Sequence, residues 1–160
     1  MIDLHFDKTP NCWKIAIMLE EVGAKYRVIN YDILAGDHLT AAFRVINPNH
    51  KLPAIVDDAP ADGGAPITVA ESAAILIYLA DKHGMFLPQQ ARDRAPVLQW
   101  LAWQIAGLGP MKCLIAISNS PKHPLASYPW QRCKRNARSI ERSATICFLL
   151  IATSNMNAPA

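Results

Sequence analysis

The chain has 160 residues, of which 51% are hydrophobic and 18% are charged, and its formal net charge is +3 at pH 7. This length allows one small complete domain and part of a second, and the composition is that of a soluble globular protein rather than a disordered one. The longest late apolar run, residues 146–152, falls far short of the roughly 20 residues that span a bilayer. We therefore expect a cytoplasmic protein with no signal peptide and no membrane partner.

The charge changes sign along the chain. Residues 1–111 carry 9 Lys and Arg against 12 Asp and Glu, a net charge of −3, whereas residues 112–160 carry 7 against 1, a net charge of +6. Such a break indicates either a functional basic arm or a segment of different origin. Because no nucleic-acid motif frames the basic residues, a solvated surface is the better interpretation and no nucleic-acid partner is expected. These residues include Arg132, Lys134, Arg135, Arg138 and Arg142.

The cysteines form no metal-binding or disulfide pattern. No two of them make a C-x-x-C pair, so we expect neither a metal site nor a disulfide framework. A reducing compartment is the default for such a chain. The four are Cys12, Cys113, Cys133 and Cys147.

The start of the chain predicts a β-α-β unit. Ile2, Leu4 and Phe6 alternate with polar residues, which is the pattern of a half-buried strand. Apolar residues then recur at helical spacing from Cys12 to Gly23, and a second alternating strand runs from Tyr26 to Tyr31. Such a crossover implies a parallel pair of strands with the helix packed on one face.

The middle of the chain predicts a weak helix, two short strands and a stronger helix. The weak helix spans Leu39 to Val45, and the strands Ala54 to Asp57 and Pro66 to Val69 are separated by a loop rich in Asp, Pro and Gly. The stronger helix runs from Ser72 to His83 and stops at Gly84. The whole pattern is β-α-β-α-β-β-α.

A linker and a helical segment follow. An amphipathic helix is predicted from Arg92 to Leu108, and a further helix over about 131–150 is compatible with the sequence. The predicted boundaries are residues 1–84 for the α/β domain, 85–91 for the linker and 92–160 for a partial helical domain, of which 112–160 diverge.

Three motifs resemble the glutathione transferase family in their order and spacing. The family's first loop and helix are similar to TPNCWKIAIMLEEVGAKY, its proline loop to NPNHKLPAIVD, and its third helix and linker to ITVAESAAILIYLADKHGMFLP. The resemblance implies an α/β thioredoxin-like N-terminal domain with a mixed four-stranded sheet, followed by an all-α, incomplete glutathione transferase C-terminal domain. The segments Thr9-Pro10-Asn11, DGG and VLQWLAWQIAGLGPM are most similar to the bacterial nu-class enzymes, which are glutathione-dependent disulfide-bond reductases.

The resemblance covers residues 1 to about 111. A later family segment is similar to LASYPWQR at residues 125–132, but this fragment arrives far too early in the chain. An internal deletion or a change of reading frame would explain the displacement and the break in charge, and a truncated helical domain is therefore expected.

The resemblance implies that the proline loop binds glutathione through its backbone. Pro53 would be cis, and Leu52 would offer its N–H and C=O to the cysteinyl part of glutathione like an added strand. Lys51 and His38 match positions that meet the glycyl carboxylate. The alternatives are a simple strand-entry proline and two exposed basic residues with no specific role.

A helix start is the expected site for the other end of glutathione. Glu71 and Ser72 lie where unpaired N–H groups and the positive end of the helix dipole favour an anion. The resemblance assigns the γ-glutamyl carboxylate to Ser72 and the ammonium to Glu71. An ordinary N-terminal helix signature is the alternative.

The loop after the first strand is where the family contacts the glutathione sulfur. Thr9 and Asn11 are the candidate catalytic residues, because a donor aimed at the sulfur stabilises the thiolate. A plain turn that caps the first helix is the alternative. Cys12 replaces an expected glycine, and it is either a reactive thiol at a helix N-terminus or, as we favour, a small buried residue.

Two functions from different classes remain open. The first is an enzyme that uses glutathione as co-substrate, without a metal, to reduce a small disulfide or to attack an electrophile. The second is a non-catalytic module that binds glutathione or dimerises, with an incomplete helical domain. The family resemblance also implies a homodimer. Trp100, Trp103 and Gln104 are candidates for the open side of the site, although aromatic residues at helical spacing are more often core.

Overall fold

The computed structural model of the chain describes residues 1–110. The chain divides into two compact units, Met1–Met85 and a second that begins at Phe86. None of the helices among the described residues is long and apolar enough to cross a membrane. The first unit contains β1 (Ile2–Phe6), α1 (Pro10–Glu21), β2 (Tyr26–Asn30), a 3-10 turn (Asp37–Leu39), α2 (Ala41–Ile46), β3 (Ala54–Asp57), β4 (Ile67–Ala70) and α3 (Ser72–His83).

The four strands form one mixed sheet in the order β2-β1-β3-β4. β1 and β2 are parallel, whereas β3 is antiparallel to both β1 and β4. The predicted mixed four-stranded sheet is therefore confirmed. It follows that β1, β2 and β4 end, and β3 begins, at the same edge of the sheet, which we call the site edge.

The core of the first unit lies between the sheet and the helices. Helices α1 and α3 contact each other, and the apolar stripe of each is buried, as expected for amphipathic helices. Burial of these side chains supplies the main stabilisation of the unit. The fully buried large side chains include Leu4, Ile15, Leu19, Phe43, Ile55, Ile75 and Leu79.

Helix α1 begins two residues earlier than predicted. Thr9 is its N-cap, with Oγ1 accepting the Cys12 N–H at 3.3 Å, and Pro10 occupies the first turn, where a missing N–H costs nothing. Two of the apolar residues in the predicted helix, Trp13 and Ile17, are not part of the buried stripe and are exposed by 51% and 45%. Trp13 instead packs its ring edge-on against Phe6, with a centroid distance of 5.2 Å.

The weak helix predicted before the proline loop is shorter than expected. Thr40 caps α2 by accepting the Phe43 N–H at 3.2 Å, so the helix begins after Thr40 and the preceding residues form the 3-10 turn. A side-chain cap fixes a helix start because it replaces an intrahelical bond that the first N–H groups lack. Only Phe43 of α2 is buried.

The second unit contains one long helix within the described residues. Helix α4 runs over Ala91–Trp103 and buries Val97 and Leu101, and a π-helical segment continues it over Gln104–Leu108. The predicted helix therefore exists, with a wider final turn. The possible helix at 131–150, the basic residues and the fragment LASYPWQR lie outside the described residues, and the predicted domain boundaries stay predictions.

A buried carboxylate connects β3 to α3. Asp57 is fully buried and accepts hydrogen bonds from the Tyr78 hydroxyl at 2.7 Å, from the Ala59 N–H at 3.1 Å and from the Lys82 ammonium. Lys82 also donates to the Ala59 carbonyl at 2.6 Å. Burial alone would raise the pKa of Asp57, but these donors hold the pKa below its ordinary value. Burial and the Asp57 carboxylate together raise the pKa of Tyr78.

A second buried polar group makes stability depend on pH. His5 is 4% exposed in β1, and its Nδ1 lies 2.9 Å from the Tyr31 hydroxyl. Burial lowers the pKa of His5 below its usual value, and this outweighs the opposing effect of Asp3. The folded chain therefore keeps His5 neutral at pH values where the unfolded chain already protonates it.

We expect the free energy of unfolding to fall as the pH drops below about 6.5, because there the unfolded state binds more protons than the folded state. The slope from His5 is at most about 1.4 kcal/mol per pH unit. Urea unfolding of the chain and of His5→Gln at several pH values measures it, since glutamine preserves a hydrogen-bonding group that does not titrate. Equal slopes for both chains would contradict this origin.

Candidate functional site

Three segments that carry predicted site residues reach the site edge. The strand register places His5 opposite Ala54 and Ala54 opposite Ala70. The segment Leu52-Pro53 immediately precedes β3, and Glu71-Ser72 immediately follow β4. The loop that carries Thr9 leaves β1 at the same edge. Three segments that are distant in sequence therefore converge on one place, at the ends of strands where α/β folds commonly bind ligands.

The proline loop is held by its own side chains. The Leu52–Pro53 peptide bond is cis, as the resemblance implied. Asn47 is buried, donates from Nδ2 to the Lys51 carbonyl at 2.7 Å and accepts the Asn49 N–H at 3.0 Å. Within residues 1–110 the backbone of Leu52 forms no hydrogen bond of its own. A ligand with its own peptide group can therefore pair there.

The two basic residues predicted near the proline loop, Lys51 and His38, differ in their exposure to solvent. Lys51 is exposed, whereas His38 is half-buried and its Nδ1 has no hydrogen-bond partner among the described residues. The carbonyl of His38 accepts a hydrogen bond from His50 Nδ1 at 2.9 Å, which ties the segment after β2 to the proline loop. Both predicted basic residues therefore border the loop.

Glu71 has an unusual backbone conformation at the start of α3. Its φ is 69° and its ψ is 121°, a region that residues other than glycine rarely adopt. Such strain is typical of functional sites. No side chain of residues 1–110 caps α3, so within this part of the chain the N–H groups of its first turn, beginning with Ser72, are available to an anion. Asn49 Nδ2 lies 3.4 Å from Glu71 Oε1 and links the proline loop to this helix start.

Thr9 is the N-cap of α1, and Asn11 lies in the first turn of this helix. The capping interpretation is correct for Thr9, but its hydroxyl hydrogen remains able to donate, because the cap uses only the oxygen as acceptor. Asn11 does not cap the helix. Its Oδ1 instead accepts a hydrogen bond from Lys14 Nζ at 2.8 Å.

Cys12 is completely buried and free of disulfide bonding. Burial raises the pKa of its thiol and outweighs the lowering effect of nearby hydrogen bonds from Asp7 and Thr9. A protonated, inaccessible thiol is a poor nucleophile. The geometry therefore favours the structural interpretation of Cys12 over the reactive one.

Several positioning groups were not singled out from the sequence. Asn47 and Asn49 lie in the proline-loop motif but were given no role of their own, although Asn side chains in such turns commonly hydrogen-bond nearby backbone. Asp7 accepts the N–H groups of Lys8 at 2.6 Å and Ile33 at 3.2 Å, and so joins the segments after β1 and β2. No group of metal-ligating side chains is found among the described residues.

The two tryptophans of α4 belong to the second unit. Trp100 and Trp103 are 48% and 39% exposed and stack edge-to-face with a centroid distance of 5.6 Å, while Gln104 begins the π-helical segment. Their predicted role beside the substrate stays a prediction.

Comparison with known proteins agrees with this geometry. Residues 9–82 match the model of the glutathione S-transferase N-terminal domain. Disulfide-bond oxidoreductase YfcG of Escherichia coli is 54% identical over 111 residues, covering 69% of this chain and 52% of that protein. Disulfide-bond oxidoreductase YghU of the same organism is 42% identical over 115 residues, covering 68% and 38%.

A solved structure extends the agreement to the fold. A glutathione transferase from Burkholderia graminis, with two glutathione molecules bound per subunit, has a TM-score of 0.72 and 35% identity, covering 94% of this chain and 60% of that one. The chain spans about half the length of the first curated relative. The family model, the curated relatives and the fold agree that this chain belongs to the glutathione S-transferase family through its thioredoxin-like N-terminal domain.

Proposed function

We propose that the chain binds glutathione at the site edge and uses the glutathione thiolate to reduce disulfides. The observation that carries the proposal is the convergence of Thr9, Leu52-Pro53 and Glu71-Ser72 at that edge. The similarity to two disulfide-bond oxidoreductases supports disulfide reduction over attack on other electrophiles.

Two ends of the site would hold the tripeptide. The first-turn N–H groups of α3 and the Ser72 hydroxyl would bind the γ-glutamyl carboxylate, and the exposed Glu71 carboxylate would face the ammonium. The backbone of Leu52 would pair with the cysteinyl residue, and Lys51 and His38 would bind the glycyl carboxylate. This orientation directs the sulfur toward Thr9 and Asn11.

The chemistry belongs to glutathione, and the chain supplies orientation and thiolate stabilisation. The thiolate attacks one sulfur of the substrate disulfide, a new S–S bond forms and the second sulfur leaves as a thiolate that takes up a proton. A second glutathione then cleaves the mixed disulfide. Two glutathione molecules and one small disulfide give glutathione disulfide and two thiols. A homodimer in the cytoplasm is the proposed working form.

The decisive assay is reduction of hydroxyethyl disulfide by the full chain with glutathione, together with Cys12→Ala. We expect glutathione-dependent turnover in both proteins, because the buried Cys12 thiol takes no part. Thermal unfolding with and without glutathione verifies that each protein is folded and binds.

The outcomes separate the alternatives. Loss of most turnover in a folded Cys12→Ala would assign the nucleophile to Cys12. A glutathione-dependent rise in Tm without turnover would favour the binding module. Absence of both binding and turnover would overturn the proposal.

A further inference from the structure

The hydrogen bond between Lys14 and Asn11 determines which end of the Asn11 amide a ligand can meet. An ammonium group only donates hydrogen bonds, so the atom 2.8 Å from Lys14 Nζ must be the amide oxygen of Asn11. With its oxygen engaged, Asn11 presents its N–H donors to any other partner. Without that bond the two ends of the amide would be interchangeable by rotation.

The orientation matters because a thiolate is a hydrogen-bond acceptor. An amide N–H aimed at the sulfur stabilises the charged form and lowers the pKa of the thiol, whereas an amide oxygen in the same place would repel it. Lys14 begins the second turn of α1, three residues after Asn11 and five after the N-cap Thr9.

We propose that Lys14 is a positioning residue that fixes the Asn11 amide so that its N–H group donates to the sulfur of bound glutathione. This inference rests on the proposed glutathione site and deepens it. Lys14 acts through Asn11, and its positive charge adds to the effect without direct contact with the sulfur.

Three substitutions distinguish orientation from charge. Lys14→Met removes the donor and the charge at similar length, whereas Lys14→Arg keeps both, since a guanidinium is also donor-only. Lys8→Met is the matched control. Lys8 is an exposed lysine in the loop before α1. Its substitution removes one positive charge and leaves the Asn11–Lys14 hydrogen bond in place.

The readout is the pKa of the thiol of glutathione bound to the full chain, measured by ultraviolet absorbance of the thiolate. S-methylglutathione, which has no ionisable thiol, supplies the blank. We expect Lys14→Met to raise this pKa by about one unit, which means about tenfold less thiolate at a pH below the pKa. Lys14→Arg should leave it unchanged, and Lys8→Met should change it much less.

A double-mutant cycle with Asn11→Ala tests the route of the effect. Asn11→Ala should raise the thiol pKa by itself, and adding Lys14→Met should then change it little, because the amide that Lys14 orients is gone. A merely structural role for Lys14 would alter Tm or the Kd for glutathione without this dependence on Asn11.

The failures are distinguishable. If the chain does not bind glutathione, the proposed function is wrong and the inference fails with it. If Asn11→Ala leaves the thiol pKa unchanged, the proposed contact between Asn11 and the sulfur is wrong, and the inference again fails. The inference alone is overturned if Asn11→Ala raises the thiol pKa but Lys14→Met does not. It is also overturned if Lys14→Met and Lys8→Met raise the thiol pKa equally.

Discussion

Replacing Lys82 by methionine is expected to lower the free energy of unfolding by about 3 kcal/mol, because it leaves the buried Asp57 carboxylate without its cation. The Tyr78 hydroxyl and the Ala59 N–H remain but carry no full charge. Removing one partner of a buried pair costs far more than the pair contributes, since the other charge stays desolvated. Urea denaturation at pH 7 measures the loss.

The chain offers a matched control on its surface. Arg27 forms a two-point pair with Asp3, with distances of 2.9 Å and 2.5 Å, but its side chain is 60% exposed. Arg27→Met also exchanges a cation for methionine, and it should change the stability little because water screens the pair. Similar losses for both variants would contradict the central role of burial.

The hydrogen bonds of the buried Asp57 carboxylate also predict how the stability of the chain changes in acid. The pKa of Asp57 is lower in the folded chain than in the unfolded chain. Its contribution to stability is therefore complete above the unfolded value and is lost as the pH falls through the folded value. The loss of unfolding free energy on acidification should be smaller in Lys82→Met, because the cation that lowers the pKa of Asp57 is missing.

Replacing Ser72 by alanine is expected to weaken glutathione binding about thirtyfold, which corresponds to about 2 kcal/mol for a lost hydrogen bond to a charged group. The first-turn N–H groups of α3 would still attract the carboxylate, so binding should be reduced and not abolished. Isothermal titration of the full chain with glutathione measures the Kd.

Thr68→Ala provides the control for this substitution. Thr68 lies on β4, close in sequence to Ser72, but its side chain is exposed and within the strand. Loss of its hydroxyl should leave the Kd unchanged. A Kd for Ser72→Ala equal to that of the unmodified chain would remove Ser72 from the site.

The sequence determined the elements and the types of group at the site. Alternation of Ile2, Leu4 and Phe6 encodes a strand because neighbouring side chains point to opposite faces. Glycine at 84 encodes the end of α3, where φ is 64°. The motifs around Pro53 and Ser72 identified the candidate glutathione-binding residues. These signals are local, and a linear pattern records them directly.

The tertiary structure decided which groups meet. Asp57 is separated by 25 residues from Lys82, and Asn49 by 22 from Glu71. No local periodicity records such pairs, because the strand register and helix packing select them. The sequence identified Cys12 and Asn11 as candidates but did not determine the surroundings of either side chain. Only the packed fold shows that the Cys12 thiol is buried, with a raised pKa. The Asn11–Lys14 hydrogen bond is local, because it joins residues three apart on α1, and the structure shows that it forms.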